Sequence, residues 1–485
     1  MGAETDVLGL VTDLLEGLES NKVGYVHWKS NEHLLPALRG DTDLDLLVAE
    51  PNKIVFEKVL VDLGFVPLTP ASIREIPGSE SHLGFDPTTG TLVHLDVQYR
   101  LTLGEQLLKN HRLPVDDWLL GNAGDLHGVR VPQPERELLL LYVRTMLKTT
   151  TRQLMSSRVK GGSPVPQRIF KEAVWLAERV TPDSLRSAAE SSGLDVTGEE
   201  LIDFVKRVEE RKLDLDYISD GRKSLRDRLS RYQRLPAHRA LPKKMLLRLR
   251  SRPWARRLHI DIPKRRLANG GLLVAAVGAD GSGKTRLSRD LEKWLEGKVQ
   301  VEHVYFGQPK SGVFFKLLNK PGSLARKRGE QGGSSGALGT VARYTDSFKW
   351  LALGRKRRRA AREGRAAARE GVVVLAERYP LEEFFGMETP MDGPRLQPDR
   401  PFARAELRQY LAIEPPELTI VLKTSLQTLR DRKIDLTVEE HIPKVAAVEG
   451  LAENDRRVVI DAGQPYEEML LAAQTAIWRS LSEGR

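Results

Sequence analysis

Hydrophobic and polar positions change rhythm twice along this chain. Up to about residue 130, short apolar runs alternate with stretches of helical spacing: "VGYVHW" at 23–28, "LDLLV" at 44–48 and "LVHLDVQY" at 92–99. That is the mark of an α+β or α/β unit. From "PQPERELLLLYVRTMLK" at 132–148 to about Leu215 the spacing is helical throughout. Ile169, Ala173, Leu176 and Val180 fall on one helical face, as do Leu201, Phe204, Val205 and Val208. Thr197, with Glu200 three residues on, predicts a capping box before the second of these. After "GGLLVAAVGADGSGKT" at 270–285, strands and helices alternate again to the end. The pattern predicts an α/β multidomain chain in four parts: an α/β domain over 1–130, a helical spacer or substrate wall over 131–220, a linker over 221–268 and a parallel-sheet domain over 269–485.

Composition narrows the class. The 485 residues suffice for two or three domains, and 40% hydrophobic with 29% charged residues describes an ordinary globular chain. No run approaches the roughly 18 apolar residues of a spanning helix. The acidic, amphipathic start "MGAETDVLGLVTDLLEGLES" does not read as a secretory signal. The absence of cysteine excludes disulfides, thiolate metal sites and thiol catalysis. The expected compartment is cytoplasmic.

Charge is concentrated in one place. Residues 222–266 hold 17 Lys or Arg against Asp227 and Asp261, fifteen positive charges net, so a chain of overall +10 is elsewhere net negative by five. This strap admits three roles. It links or docks on the acidic remainder, it lies on a membrane surface through the stripe Leu241, Met245 and Leu249 beside Trp254, or it binds nucleic acid. Docking ranks first, peripheral membrane contact second and nucleic acid last. The sequence leaves the oligomeric state open, and a homodimer is compatible with it.

The firmest chemical signal is "GADGSGKT", with Gly278, Asp280, Gly281, Ser282, Gly283, Lys284 and Thr285 at phosphate-loop spacing between an apolar strand and a helix. Glycines let the backbone curl round a phosphate at a helix start, Lys284 bridges β- and γ-phosphates, and Thr285 is placed to hold Mg²⁺. ATP and Mg²⁺ are the expected cofactors. The strands that follow, "GVVVLAERYP", "PPELTIVLKTS" and "RRVVIDAGQPYEEML", together with this loop resemble the thymidylate-kinase-like nucleotide kinases over almost all of 270–485. The resemblance implies an acid near the acceptor or Mg²⁺ at Glu377 and a clamp on the acceptor's phosphate at Arg378. It also implies lid bases at Arg430, Arg432 and Lys433. Glu377 stands where that family more often has Asp, and "METPMDGPRL" at 387–396 is similar to kinase-like proteins of bacterial surface-polysaccharide and specialised metabolism. The implied acceptor is a nucleoside monophosphate or related small phosphate-bearing metabolite. The Arg-rich run at 354–370 reads first as a solvated helical face and second as a source of arginines for the transition state.

A second phosphate chemistry is written into "RGDTDLDLLVAE". Alternation puts Asp43 and Asp45 on one face of a strand and Leu44 and Leu46 in the core. Carboxylates there are costly unless a cation meets them. Asp96, in "TLVHLDVQYR", supplies a third acid, and the three form a candidate Mg²⁺ clamp. The arrangement resembles the polymerase-β-like nucleotidyltransferases over roughly residues 20–125. By that resemblance Lys29 and Ser30, in "HWKSNEHLLPAL", would hold the triphosphate tail, and the protein would be bifunctional. A reading from another class is a nucleotide-gated switch or scaffold with an inactive N-terminal domain.

Overall fold

The computed structural model describes residues 7–71, 74–258, 262, 264–307, 337–385, 392–431 and 438–483. It divides into two compact units, Met1–Arg265 and Arg266–Arg485. The three parts expected before residue 268 are therefore one body, and the reason is a sheet with two apolar faces.

The first unit runs α1 (Gly9–Ser20), β1 (Tyr25–His27), α2 (Leu34–Leu38), β2 (Leu44–Val48), α3 (Lys53–Asp62), β3 (Val66–Thr69), β4 (Ser79–Phe85) and β5 (Leu92–Gln98). The longer helices that follow among the described residues are α4 (Pro134–Lys148), α5 (Thr151–Lys160), α6 (Gln167–Ala177), α7 (Pro182–Ser191), α8 (Gly198–Glu209), α9 (Leu215–Arg228) and α10 (Ala237–Arg250). The strands lie in the order β1-β2-β5-β4-β3, with only β2 and β5 parallel. Leu44, Leu46, Val48, Leu95 and Val97 bury one face of this sheet in a core with α1 and α3. Val26 and Leu47, one residue out of phase, bury the other with Trp28 against α4 to α9. Strand alternation makes both faces apolar, so the helical region is the sheet's second wall and not a spacer. The capping box at Thr197 and Glu200 is formed at the start of α8. The first part of the strap packs on the same unit: Arg226 and Lys244 both pair with Glu105, and Arg222 donates to Thr149 O at 3.0 Å. In α10, Leu241, Met245 and Leu249 stay exposed while Leu247 is buried. Among the described residues no helix is long and apolar enough to cross a membrane.

The turn after β4 hangs on one buried carboxylate. Asp86 Oδ2 accepts from Leu10 N at 3.1 Å, and Oδ1 accepts from Thr88 N, Thr89 N and Thr89 Oγ1. Burial pushes its pKa up, but the hydrogen bonds from Leu10, Thr89 and Thr88 outweigh burial and hold it below the usual carboxylate value. A depressed folded pKa contributes stability above the unfolded value of about 3.9, lost as pH falls through the folded value. Asp86→Ala is expected to cost about 1–3 kcal/mol at neutral pH, read by urea denaturation, and to flatten the loss of stability below about pH 4.

The second unit is a parallel sheet between two helical layers. Its main elements are β6 (Leu272–Gly278), α11 (Lys284–Leu295), β7 (Val301–Tyr305), α12 (Ala337–Arg369), β8 (Val373–Glu377), α13 (Ala403–Leu411), β9 (Leu418–Lys423), α14 (Val438–Glu449), β10 (Arg457–Asp461) and α15 (Tyr466–Ser482). The strand order is β7-β8-β6-β9-β10, every pair parallel. Leu273, Ala275 and Val277 of β6 and Val374 and Ala376 of β8 pack against Ala361, Ala368 and Val448 of α12 and α14. The alternate residues are buried toward α11 and α15. Both faces being covered, the open positions are the strand ends, and the carboxyl ends of β6 and β8 carry the polar residues.

Candidate functional site

At the carboxyl end of β6 the chain turns through Gly278–Gly283 into α11. A Cβ on Gly278 would sit 2.5 Å from Ser282 Oγ and 2.9 Å from Leu422 O, and Gly283 has φ +95°, so neither position accepts another residue without strain. Lys284 folds back over this loop, donating to Gly278 O at 2.8 Å and Ala279 O at 2.7 Å. That uses two of its three donors. Burial lowers the Lys284 pKa to about 8, against the pull of Asp280, Asp392 and Glu377. Ser282 is fully buried and its hydroxyl has no partner among the described residues, which fits a loop shaped round a phosphate oxygen.

Strand pairing brings the second half of the site here. β6 and β8 run side by side with Ala276 opposite Glu377. Glu377 Oε2 accepts from Thr285 Oγ1 at 3.1 Å, and Oε1 lies 3.2 Å from His303 Nε2 of β7. The His303 hydrogen bond holds the Glu377 carboxyl below its usual range despite burial, and the carboxylate in turn raises His303. A hydroxyl beside a carboxylate is a hard oxygen donor set, the kind Mg²⁺ takes in company with water and phosphate oxygens. Arg378 adopts φ +59°, a left-handed conformation rare for a residue with a Cβ. It pairs with Asp280 at 3.0 Å and lies 3.8 Å from Asp392. Lys444 of α14 meets the other oxygen of Asp280 at 3.1 Å. Burial raises Asp280, but Lys444, Lys284 and Arg378 together bring it below the usual value.

The Arg-rich run is not wholly solvated. Arg357 is 4% exposed. It donates to Phe306 O (2.7 Å), Asp392 O (2.9 Å), Tyr410 Oη (2.9 Å) and Asp392 Oδ1 (3.1 Å). It thereby fixes the acid that faces Arg378. Lys444 and His303 were not legible as site residues, each being unremarkable on its own element; Asp392 and Arg357 lie in stretches the sequence singles out, but nothing in it pairs them. Of the expected lid bases, Arg432 and Lys433 lie outside the described residues, as does the side chain of Arg430.

In the first unit a cleft of about 440 Å³ opens beside β2, lined by α4, α6 and the segments after β1 and β5. Asp45 stands in register with Asp96 on the parallel neighbour β5, with Asp43 two residues before it. The three have separate partners: Asp43 Oδ1 lies 2.9 Å from His94 Nδ1, Lys29 meets Asp45 at 2.5 Å, and Ser81 Oγ donates to Asp96 at 3.3 Å. Among the described residues no group of three acids or histidines is placed to hold a metal ion. Ser30, at φ +56°, gives both its N–H and its hydroxyl to Glu172 of α6, at 3.1 and 3.5 Å, and Arg144 of α4 pairs with the same carboxylate at 3.1 Å. The phosphate grip expected of Lys29 and Ser30 is thus met by protein carboxylates. Glu172 had one signal in the sequence, a charge set inside the apolar stripe of Ile169, Ala173 and Leu176.

A parallel sheet with a glycine loop, Lys284 and Thr285 at its central strand defines a P-loop nucleotide-binding protein. Comparison with known proteins agrees. The chain is 30% identical over 226 residues to the uncharacterized ATP-binding protein YghR of Escherichia coli K12, spanning 42% of this chain and 86% of YghR. It is 28% identical over 234 residues to the ATP-binding protein YghS of the same strain, spanning 43% of this chain and 94% of YghS. The chain belongs to the family of these proteins. No family model matches it. Among solved structures, a thymidylate kinase from Candida albicans aligns with 44% of this chain and 92% of its own, at 14% identity and a TM-score of 0.27. A score that low carries no argument.

Proposed function

We propose that the C-terminal unit is an ATP-dependent phosphotransferase acting on a nucleoside monophosphate or a related small phosphate-bearing metabolite. The observation that carries this reading is the convergence of Lys284 and Thr285 with Glu377 and Arg378 at the ends of two adjacent strands. ATP is the nucleotide by kinship with the ATP-binding relatives. Thr285 and Glu377 would hold Mg²⁺, which neutralises charge on the phosphates when bound. An oxygen of the acceptor attacks the γ-phosphorus, the bond to the β-bridging oxygen breaks, and ADP leaves with the electron pair. Lys284 neutralises charge on the leaving side. Arg378, between Asp280 and Asp392, is placed to take the acceptor's phosphate by exchanging a carboxylate partner for it. Phosphoryl transfer asks little more of a protein than such positioning and charge.

For the N-terminal unit a second activity, Mg²⁺-dependent nucleotidyl transfer, draws support from the in-register pair Asp45 and Asp96. Holding a metal there requires Lys29 to leave Asp45. A product assay with ATP, Mg²⁺ and a panel of nucleoside monophosphates, resolving ADP from pyrophosphate, tests both. Acceptor-dependent ADP lost in Lys284→Ala supports the kinase. Pyrophosphate lost in Asp45→Asn alone supports the transferase. Neither product, with ATP bound, points to the nucleotide-gated switch.

A further inference from the structure

The N-terminal cleft holds more positive charge than its own acids match. Lys29 is paired with Asp45 and Arg144 with Glu172. Lys109, Lys148 and Arg168 line the same cleft, and none of the three is in an ion pair among the described residues. They come from three elements: the segment after β5, the last residue of α4 and the second residue of α6. Such an arrangement is built by the fold, not by a run of basic sequence. The cations feel one another. Burial first, then Arg144, Arg168, Lys29 and Lys109, lower the Lys148 pKa to about 8. Lys109 is likewise lowered, by burial above all, against the pull of Asp96 and Asp45. Clustered like charges facing one cavity destabilise the protein unless something anionic joins them.

We propose that this cleft binds a phosphate-bearing ligand and that Lys109, Lys148 and Arg168 hold its phosphate, in place of Lys29 and Ser30. Three donors of different geometry suit a phosphate: two ammonium groups act as point charges and the guanidinium offers a planar fork. Lys29 and Ser30 are satisfied by Asp45 and Glu172, so a phosphate at that end of the cleft would meet two carboxylates. Lys109, Lys148 and Arg168 make no ion pair among the described residues, so a phosphate beside them displaces no carboxylate. The ligand's remaining part then lies toward Asp43 and Asp45, whether or not any transfer takes place there. The site does not depend on the kinase reading of the other unit.

Lys148 supplies its own probe, since an amine with a lowered pKa is partly unprotonated near pH 8 and reacts readily with an acylating reagent. The experiment is site-resolved acylation of the full-length protein at constant ionic strength, with each lysine followed by peptide mass spectrometry. Inorganic phosphate, pyrophosphate, ATP and a sugar phosphate are added separately. At least a fivefold slowing at Lys148 and Lys109, in wild type and in Lys284→Ala alike, is expected from one or more of these and is expected to vanish in Arg168→Gln. Protection by inorganic phosphate as strong as by the organic esters makes phosphate itself sufficient. Protection by an ester at tenfold lower concentration makes the ester the ligand; both outcomes support the site. No protection by any probe, or protection unchanged in Arg168→Gln, overturns it. Lys148→Met gives an independent check. It is expected to raise the melting temperature of the ligand-free protein while abolishing the rise that the protecting ligand causes in wild type. A lowered melting temperature with the ligand's effect intact would contradict the proposal.

Discussion

Lys284→Ala is expected to reduce acceptor-dependent ADP formation on the order of 10³-fold, with the fold intact. The side chain makes no contact on which the core rests. Its two hydrogen bonds go to carbonyls of its own loop, and burial already lowers the pKa of its ammonium. Unchanged thermal stability with lost transfer is therefore the signature, measured by melting curves beside steady-state kinetics. Thr285→Val separates the metal from the lysine. It removes the hydroxyl that faces Glu377 Oε2 while keeping the shape, and is expected to raise the Mg²⁺ concentration needed for half-maximal rate. Thr285→Ser keeps the hydroxyl and is expected to stay near wild type.

Arg357→Leu is expected to cost about 3–5 kcal/mol of stability, the range for removing one member of a buried charged pair. Four acceptors lose their donor at once, and Asp392 is left buried without its closest cation. Burial already raises the Asp392 pKa against Arg357 and Arg378; without Arg357 it is pushed further up and the carboxyl is no longer held beside Arg378. Arg378 then loses one of the two carboxylates between which it is held, so the Michaelis constant for the acceptor is expected to rise as well. Arg357→Lys does not restore stability, because an ammonium cannot reproduce the planar fork. Arg359, exposed and paired with Glu363 one turn away, is the control: Arg359→Ala is expected to change stability by less than about 0.5 kcal/mol. Urea denaturation of the three variants reads both expectations.

What the sequence disclosed and what it withheld follow from distance along the chain. The phosphate loop was legible because its parts lie within eight residues, and spacing alone places them. The faces of "LDLLV" were legible because alternation is local: Leu44 and Leu46 are buried in one core and Asp45 lines the cleft on the other side. Arg357 was not, since its partner Asp392 lies 35 residues on and the surrounding run averages to a solvated helix. Ser30 and Glu172 are separated by 142 residues, so nothing near "HWKSNEH" disclosed that its phosphate-binding donors were already engaged. The helical stretch after residue 131 stays, in the sequence, between spacer and substrate wall for the same reason. Its apolar faces were evident, but only the sheet's second apolar face shows what they cover.

Phosphoryl transfer at Lys284 leaves its record in where the label of ATP ends up. A single turnover with ATP labelled at the γ-phosphate, and in parallel at the α-phosphate, is run with the acceptor panel, and the labelled products are separated. The expected result is γ-label in the phosphorylated acceptor and α-label left in ADP, both changes lost in Lys284→Ala. γ-label found only in inorganic phosphate at every acceptor, or transfer undiminished in Lys284→Ala, would contradict it.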